Sequence, residues 1–130
     1  MGFKVEQLDH LVLTVASIEK TVAFYERVLG MTAIRFGVDN HRVALRFGNQ
    51  KINLHEVGKE FDPKAERPTA GSGDLCFIVD DFAVVEPHLQ ACGVEIIDGG
   101  QRSGATGPIQ SIYFRDPDQN LIEVSSYDVS

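Results

Sequence analysis

The chain has 130 residues, of which 43% are hydrophobic and 24% charged, and its formal net charge is −7. These values are typical of one soluble globular domain and differ from those of disordered or membrane proteins. The 12 basic residues are scattered, so the sequence predicts no surface for nucleic acid or an anionic membrane. No apolar run approaches the ~20 residues of a transmembrane helix and no secretory pattern is visible, so we expect a cytoplasmic protein.

The first half of the chain predicts a strand, a helix and three further strands. Leu8–Val15 is a β-rich run, and Ser17 is a good N-cap for a helix that ends at Gly30, with apolar residues at helical spacing between them. Short strands are predicted at about Thr32–Phe36, Arg42–Phe47 and Lys51–Val57.

The second half predicts the same order of elements, beginning with a strand at Asp74–Val79. Its helix runs toward Cys92, and Pro87 requires either a start near Glu86, with the proline in the first turn, or a kink. The remaining strands are predicted at Val94–Ile97, Ser111–Phe114 and Leu121–Ser125. We therefore expect one α+β domain of two βαβββ modules, at about residues 6–57 and 74–126, which form a curved mixed sheet around a cleft.

Two long connections separate these predicted elements. Residues 58–73 contain one large apolar side chain, Phe61, which indicates that this loop is pinned over something. Asp98–Pro108 is rich in glycine and is interpreted either as a mobile surface loop or as an anion site with Arg102 nearby.

A tight turn is predicted near the end of the chain. Pro117 suits the fixed φ of a type I turn, and Asp116 and Asp118 can close it through side-chain hydrogen bonds. The strand that follows carries Glu123 inside the apolar run Leu-Ile-Glu-Val, where a carboxylate is either exposed by alternation or directed into a site.

Groups that could bind a divalent metal occur at comparable places in the two halves. Asn53–Val57 matches Asn120–Val124, which aligns Glu56 with Glu123. Imidazole and carboxylate together are the ligands of Zn, Ni, Mn or Fe. The predicted ligands are His10, His55, Asp74 and Glu123.

Strand alternation decides between two candidates for the ligand in the first half. Asn53 and His55 share one face of their strand, whereas Ile52, Leu54 and Glu56 share the other. Because Ile52 and Leu54 require burial, most naturally under the helix, the cleft side is left to Asn53 and His55. We therefore favour His55 over Glu56.

Each candidate also has an ordinary structural explanation. A histidine in a strand is more often a surface or hydrogen-bonded core residue than a ligand. Asp74 would cap the turn that precedes it, and Glu56 would face solvent at a strand end. Cys76 and Cys92 form no CxxC motif and are interpreted as small buried thiols in a reducing compartment, with a reactive thiol or a disulfide as the alternative.

The sequence as a whole resembles the vicinal oxygen chelate superfamily, the group of glyoxalases, fosfomycin- and bleomycin-resistance proteins and extradiol dioxygenases. The resemblance lies in the paired modules, the opening Leu8–Val15, the helix Thr21–Gly30 with its Phe-Tyr pair, and the ending Tyr113–Glu123. Residues Asn53–Phe61 resemble the glyoxalase domain-containing protein 5 subgroup and related bacterial virulence-associated proteins.

The resemblance implies roles for individual residues. His10 and Glu123 match metal ligands of the superfamily, while Asp74 stands where a histidine is usual. Asn53 falls at the glutamate of glyoxalase I, and Tyr113 matches a tyrosine that faces the substrate in fosfomycin-resistance proteins. Tyr113 and Asn53 are therefore predicted to bind substrate.

The resemblance also implies an activity: a divalent-metal-dependent lyase or isomerase that acts on a small oxygen-rich substrate, with Glu123 as the carboxylate that moves a proton. A homodimer is implied as well. The main alternative is a metal-free module that binds a small molecule, as bleomycin-resistance proteins do. Thiol transfer to an epoxide and ring-cleaving dioxygenation are lesser alternatives.

Overall fold

A computed structural model describes residues 2–129 of the chain, which divide into two compact units, one ending at Pro68 and the other beginning at Thr69. Each unit contains one mixed four-stranded sheet with helical segments. This confirms the predicted α+β class and the paired βαβββ modules. No helix within these residues is both long and apolar enough to cross a membrane.

In the first unit, the sheet order is β1-β4-β3-β2, with β1 parallel to β4 and the other pairs antiparallel. The elements are β1 (His10–Val15), α1 (Ile18–Leu29), β2 (Thr32–Phe36), a 3₁₀ turn (Val38–Asn40), β3 (Arg42–Phe47) and β4 (Gln50–Glu56).

Helix α1 begins and ends as its sequence predicts. The Ser17 hydroxyl accepts a hydrogen bond from the Lys20 backbone N–H at 3.2 Å, and Gly30 ends the helix with a left-handed φ of 67°. The Ile18 N–H donates to Oε1 of Glu56 at 3.1 Å, so the end of β4 also caps the helix. This contact identifies the Glu56 face of β4 as the face toward α1.

The second unit has the equivalent sheet order, β5-β8-β7-β6, with β5 parallel to β8. Pro87 is the third residue of its helix, in the first turn, as one of the two predicted alternatives requires. The elements are β5 (Asp74–Ile78), a 3₁₀ turn (Phe82–Val84), α2 (Val85–Ala91), β6 (Asp98–Ser103), β7 (Pro108–Arg115) and β8 (Leu121–Ser126).

One predicted strand is wrong. Val94–Ile97 is not a strand, and the second strand of the module is instead Asp98–Ser103, which the sequence predicts to be a glycine-rich loop. This strand lies at the sheet edge and pairs with β7, from Asp98 opposite Tyr113 to Ser103 opposite Pro108. Its backbone bonds to β7 therefore outweigh the low strand propensity of its two consecutive glycines.

The turn between β7 and β8 is closed by side chains, as predicted. Oδ1 of the buried Asp116 accepts hydrogen bonds from the backbone N–H groups of Asp118, at 2.9 Å, and Asn120, at 3.0 Å. Oδ2 accepts from the Asn120 amide at 2.8 Å, and Oδ1 of Asn120 accepts from the Gly73 N–H at 2.6 Å. The turn therefore holds the residue before Asp74 against the start of β8.

We expect Asp116→Ala to destabilise the protein by about 1–3 kcal/mol, because it leaves buried donors of Asn120 without an acceptor. Asp80→Ala, the same change at an exposed position, is the control and should shift stability by less than about 0.5 kcal/mol. Urea unfolding followed by circular dichroism measures both, and equal effects of the two substitutions would contradict the role of the turn.

Candidate functional site

The two parallel strands of the first unit place three predicted site residues on one face. His10 lies opposite Lys51 and Thr14 lies opposite His55 in the register of β1 and β4. Residues two positions apart along a strand share a face, so His10, Asn53 and His55 lie on the same side of the sheet. This is the face opposite the one that meets α1.

The structure does not bring His10 and His55 together. Their register positions differ by four residues, which corresponds to roughly 13 Å along the strands. Two imidazoles that share one ion must each place a nitrogen within about 2.1 Å of it. Asn53 lies only two register positions from His10 and is therefore nearer to it than His55 is. The predicted ligand set contains His55 and not Asn53, so the structure differs from it here.

The second unit repeats this diagonal arrangement. The residue opposite Asp74 is Leu121, and Glu123 lies two positions beyond it on β8. In the first unit the residue opposite His10 is Lys51, and Asn53 lies two positions beyond it on β4. The structural counterpart of Glu123 is therefore Asn53, and the sequence match that aligned Glu56 with Glu123 is displaced by three residues. Glu56 has a structural role instead, at the start of α1.

Asn53 and His10 differ in their surroundings. Asn53 is 5% exposed, and its Oδ1 has no hydrogen-bond partner among residues 2–129. His10 is exposed, and its Nδ1 lies 2.8 Å from Oδ1 of Asp9. The carboxylate beside Nδ1 orients the imidazole, so that Nε2 is the ring nitrogen available to a metal.

Two serines hold the carboxylate of Glu123. Its Oε2 accepts hydrogen bonds from the hydroxyls of Ser111, at 2.5 Å, and Ser125, at 3.3 Å, and these hydroxyls lie 2.7 Å apart. Cys76 lies opposite Glu123 in the register, with its Sγ 3.3 Å from the Ser125 hydroxyl. The carboxylate is thus oriented by residues of both neighbouring strands.

The Cys76 thiol stays protonated at neutral pH. Burial raises the pKa of this thiol, the Ser125 hydrogen bond opposes the rise, and the charges of Glu123 and Asp74 add to it. Because the thiolate is the nucleophile, the raised pKa disfavours a reactive thiol. Cys76 is nevertheless an exposed residue, so the prediction of a buried thiol is wrong at this position.

Tyr113 lies directly opposite Glu123 on β7. The guanidinium carbon of Arg102 is 5.3 Å from the centroid of its ring. Burial raises the pKa of Tyr113; the Arg102 hydrogen bond opposes the rise and the Glu123 charge adds to it. The phenol is therefore protonated at neutral pH and can donate a hydrogen bond to a substrate oxygen.

His55 belongs to a different cluster. It is 3% exposed, its Nε2 lies 3.3 Å from Nη2 of Arg42, and its ring meets the edge of Phe61 with centroids 5.4 Å apart. A guanidinium can only donate, so Nε2 accepts and the imidazole is neutral. The contact also shows that Phe61 is pinned, as its position in the long loop predicts.

Arg42, Ser111 and Ser125 were not predicted as site residues. Each is a single polar residue of a strand sequence and belongs to no motif. The pairing of Ser111 with Ser125 across β7 and β8 is a property of register and carries no local signal.

Residues 7–124 match the sequence profile of the Glyoxalase/Bleomycin resistance protein/Dioxygenase superfamily. The chain belongs to this superfamily. The match covers almost all of both units and confirms the resemblance noted in the sequence.

Several members of the superfamily are similar over nearly the whole chain. Glyoxalase domain-containing protein RDO1 of Mycosarcoma maydis is 55% identical over 125 residues, which cover 95% of this chain and 69% of that protein. Virulence protein STM3117 of Salmonella typhimurium is 56% identical over 128 residues, or 95% and 85% of the two chains.

Solved structures are similar to the same extent. The crystal structure of STM3117 has a TM-score of 0.92 at 52% identity, covering 96% of this chain and 99% of that one. Integron cassette protein VCH_CASS1, from the mobile metagenome of V. cholerae, has a TM-score of 0.94 at 55% identity and covers 98% and 100% of the two chains.

The residues present suit the divalent metal that the superfamily implies. Imidazole, carboxylate and amide oxygen are all donors for such an ion. Oδ1 of Asn53 is buried and lacks a partner within the described part of the chain, so it could still accept a bond from a ligand or donate its lone pair to an ion. His10 with Asn53, and Asp74 with Glu123, thus form one donor pair in each unit.

We expect His55 to make the protein less stable in mild acid. Burial lowers the pKa of His55, and the Arg42 charge adds to the effect. At pH values between this lowered pKa and the value of about 6.5 in the unfolded chain, the unfolded state binds more protons than the folded state. The stability that depends on neutral His55 is therefore fully present above pH 6.5 and decreases as the pH falls.

His55→Gln should reduce this loss of stability between about pH 6.5 and pH 5. His41→Gln, which changes an exposed histidine, is the control and should retain the wild-type slope. Urea unfolding at several pH values measures the slopes, and identical slopes for the wild type and His55→Gln would contradict the assignment.

Proposed function

We propose that this protein is a glyoxalase-type metalloprotein: a divalent-metal-dependent lyase or isomerase that acts on a small oxygen-rich substrate. The proposed metal ligands are His10, Asp74 and Glu123, with Zn, Ni, Mn or Fe as the ion. The amide oxygen of Asn53 is the fourth candidate donor, in place of His55.

One observation carries this proposal: the repeated diagonal in the two parallel strand pairs. In each unit, one candidate ligand lies on the first strand and a second lies on the last strand, two register positions further along. These pairs are His10 with Asn53 and Asp74 with Glu123. Superfamily membership supports the proposal. A related fold also binds a metal, since the Listeria monocytogenes fosfomycin resistance protein FosX, 22% identical with a TM-score of 0.63, was crystallised with Mn(II).

The residues around Glu123 suit proton transfer. A bound divalent ion would polarise adjacent substrate oxygens as a Lewis acid. Glu123 would accept a substrate proton, while the Ser111 and Ser125 hydroxyls hold its carboxylate in one orientation. The protonated phenol of Tyr113, opposite Glu123, would hydrogen bond to a substrate oxygen, and Asn53 would contact the substrate when it does not ligate the metal.

The metal test uses protein purified without chelator and without a metal-binding tag. We expect about one divalent ion per chain and its loss in both His10→Ala and Glu123→Ala, because each substitution removes a ligand. Inductively coupled plasma mass spectrometry measures the metal content.

The matched controls are His41→Ala and Glu95→Ala, which remove the same groups from exposed positions and should keep the ion. Near-zero metal in the wild type, with no thermal shift on adding Ni, Mn, Zn or Fe(II), would reject the metalloprotein. Methylglyoxal with glutathione is a first activity assay for the glyoxalase type.

A second candidate is a metal-free binding module of the bleomycin-resistance type. One observation favours it: among residues 2–129, no three His, Cys, Asp or Glu side chains are grouped as a metal would require. Such a module predicts no metal in the wild type and therefore no difference between wild type and the two alanine variants.

We also propose that the protein is a homodimer. The long connection at residues 58–73 contains no helix or strand and is a candidate arm, and each sheet has edge strands that can meet another surface. Multi-angle light scattering at micromolar concentration should give about twice the 14.3 kDa mass of the chain. A mass of one chain would contradict the dimer.

A further inference from the structure

A cluster of cations and aromatic rings lies on the same face of the first sheet as Asn53. At its centre is Arg42, whose guanidinium carbon is 5.1 Å from the Phe36 ring centroid and 4.6 Å from that of Phe61. Gly37 packs against its stem, since a Cβ on Gly37 would lie 3.0 Å from Cγ of Arg42. The guanidinium is thus held in place before a ligand arrives, which lowers the entropy lost on binding.

Most hydrogen-bonding capacity of Arg42 is unused. Its Nη2 contacts Nε2 of His55 at 3.3 Å, and within the described part of the chain no carboxylate forms an ion pair with it. A guanidinium carries five N–H donors in a planar fork that matches the two oxygens of a carboxylate or phosphate.

Further positive charge lies beside Arg42. Nζ of Lys51 is 3.8 Å from the centroid of the same Phe36 ring, and Arg46 lies opposite Lys51 in the register, on the same face. Lys51 also has no ion pair among residues 2–129. Cations brought together without a counter-ion repel each other, and a bound anion would remove that repulsion.

The carboxylate of Glu60, whose charge acts on the neighbouring His55, has other partners. Oε2 of Glu60 accepts a hydrogen bond from the Gly58 N–H at 3.0 Å, and Oε1 lies 3.9 Å from Nζ of Lys64. The Glu60 charge acts on His55, but Glu60 forms no ion pair with Arg42 or Lys51. Within residues 2–129, Arg42 and Lys51 therefore have no carboxylate as an ion-pair partner.

The partnerless Oδ1 of Asn53 adds a second requirement for a ligand. Asn53 lies opposite Ala44, so Arg42 is its diagonal neighbour, a separation of roughly 7–8 Å between Cα atoms. A buried acceptor without a donor is unfavourable, and a ligand hydroxyl would satisfy it. An anionic group at Arg42 and a hydroxyl at Asn53 fit within one small molecule.

We propose that this face binds a small hydroxylated organic oxyanion, with its carboxylate or phosphate on Arg42 and Lys51 and its hydroxyl donating to Asn53. As a statement about substrate class, the proposal rests on the proposed function. As a binding site within the first unit, it needs neither His10 nor a metal, so the oxyanion site and the proposed metalloprotein can fail separately.

The test is isothermal titration calorimetry of the full chain at low ionic strength with 3-hydroxybutyrate and with glycerol 3-phosphate. We expect saturable binding of at least one of these probes. Arg42→Gln should weaken it by about tenfold or more, because it removes a charge-assisted, two-point contact. Arg35→Gln makes the same charge change at an exposed position on the opposite face of β2 and should retain wild-type affinity.

Two comparisons extend the test. Butyrate and inorganic phosphate lack the carbon-bound hydroxyl and should bind several-fold more weakly than the two probes. Wild-type protein dialysed against a chelator should keep oxyanion binding, because this site needs no metal. Lys51→Gln replaces Arg42→Gln as the test variant if thermal melting shows that the latter does not fold.

Each outcome decides the proposal. Binding of one probe alone identifies the oxyanion as carboxylate or phosphate, and binding of both supports a general oxyanion site. Equal affinity for butyrate and 3-hydroxybutyrate would overturn the role of Asn53. The site itself would be overturned by no binding of either probe, by equal losses in Arg42→Gln and Arg35→Gln, or by loss of binding after chelation of the wild type.

Discussion

The parallel pairing of the first and last strands in each module is the constraint on which the rest of this protein depends. A shift of one residue in β1 against β4, or in β5 against β8, would move every side chain of a strand to the other face. The observed registers place Asn53 beside His10 and Glu123 beside Asp74. Buried apolar residues on the opposite faces, such as Leu54 in β4, oppose such a shift.

The two modules use the same backbone plan for different chemistry. In the first, the site face carries Arg42, Lys51 and neutral polar side chains, with His55 kept uncharged by burial and by the neighbouring guanidinium. In the second, the equivalent face carries the carboxylates of Asp74 and Glu123. The proposed anion site and the proposed proton-transfer group thus lie on the same face of two sheets with the same strand order.

Comparison of expectation and structure shows which signals are local. Helix α1 begins and ends where Ser17 and Gly30 predict, because capping involves only a few neighbouring residues. The strand Asp98–Ser103 was assigned to a loop, since its glycines disfavour a strand and only its pairing with β7 makes it one. Glu56 resembled a ligand in sequence, yet its partner is the start of a helix 38 residues earlier in the chain.

Sequence patterns alone predict the two βαβββ modules apart from the position of β6, the caps of α1, the turn closed by Asp116 and the face that Asn53 and His55 share. These follow from strand alternation, helical spacing and hydrogen bonds between near neighbours. The strand registers were needed to show that His55 contacts Arg42 rather than His10, and that Asn53 is the counterpart of Glu123. The physical reason is that contacts across strands depend on register, which backbone hydrogen bonds and burial between distant segments establish together.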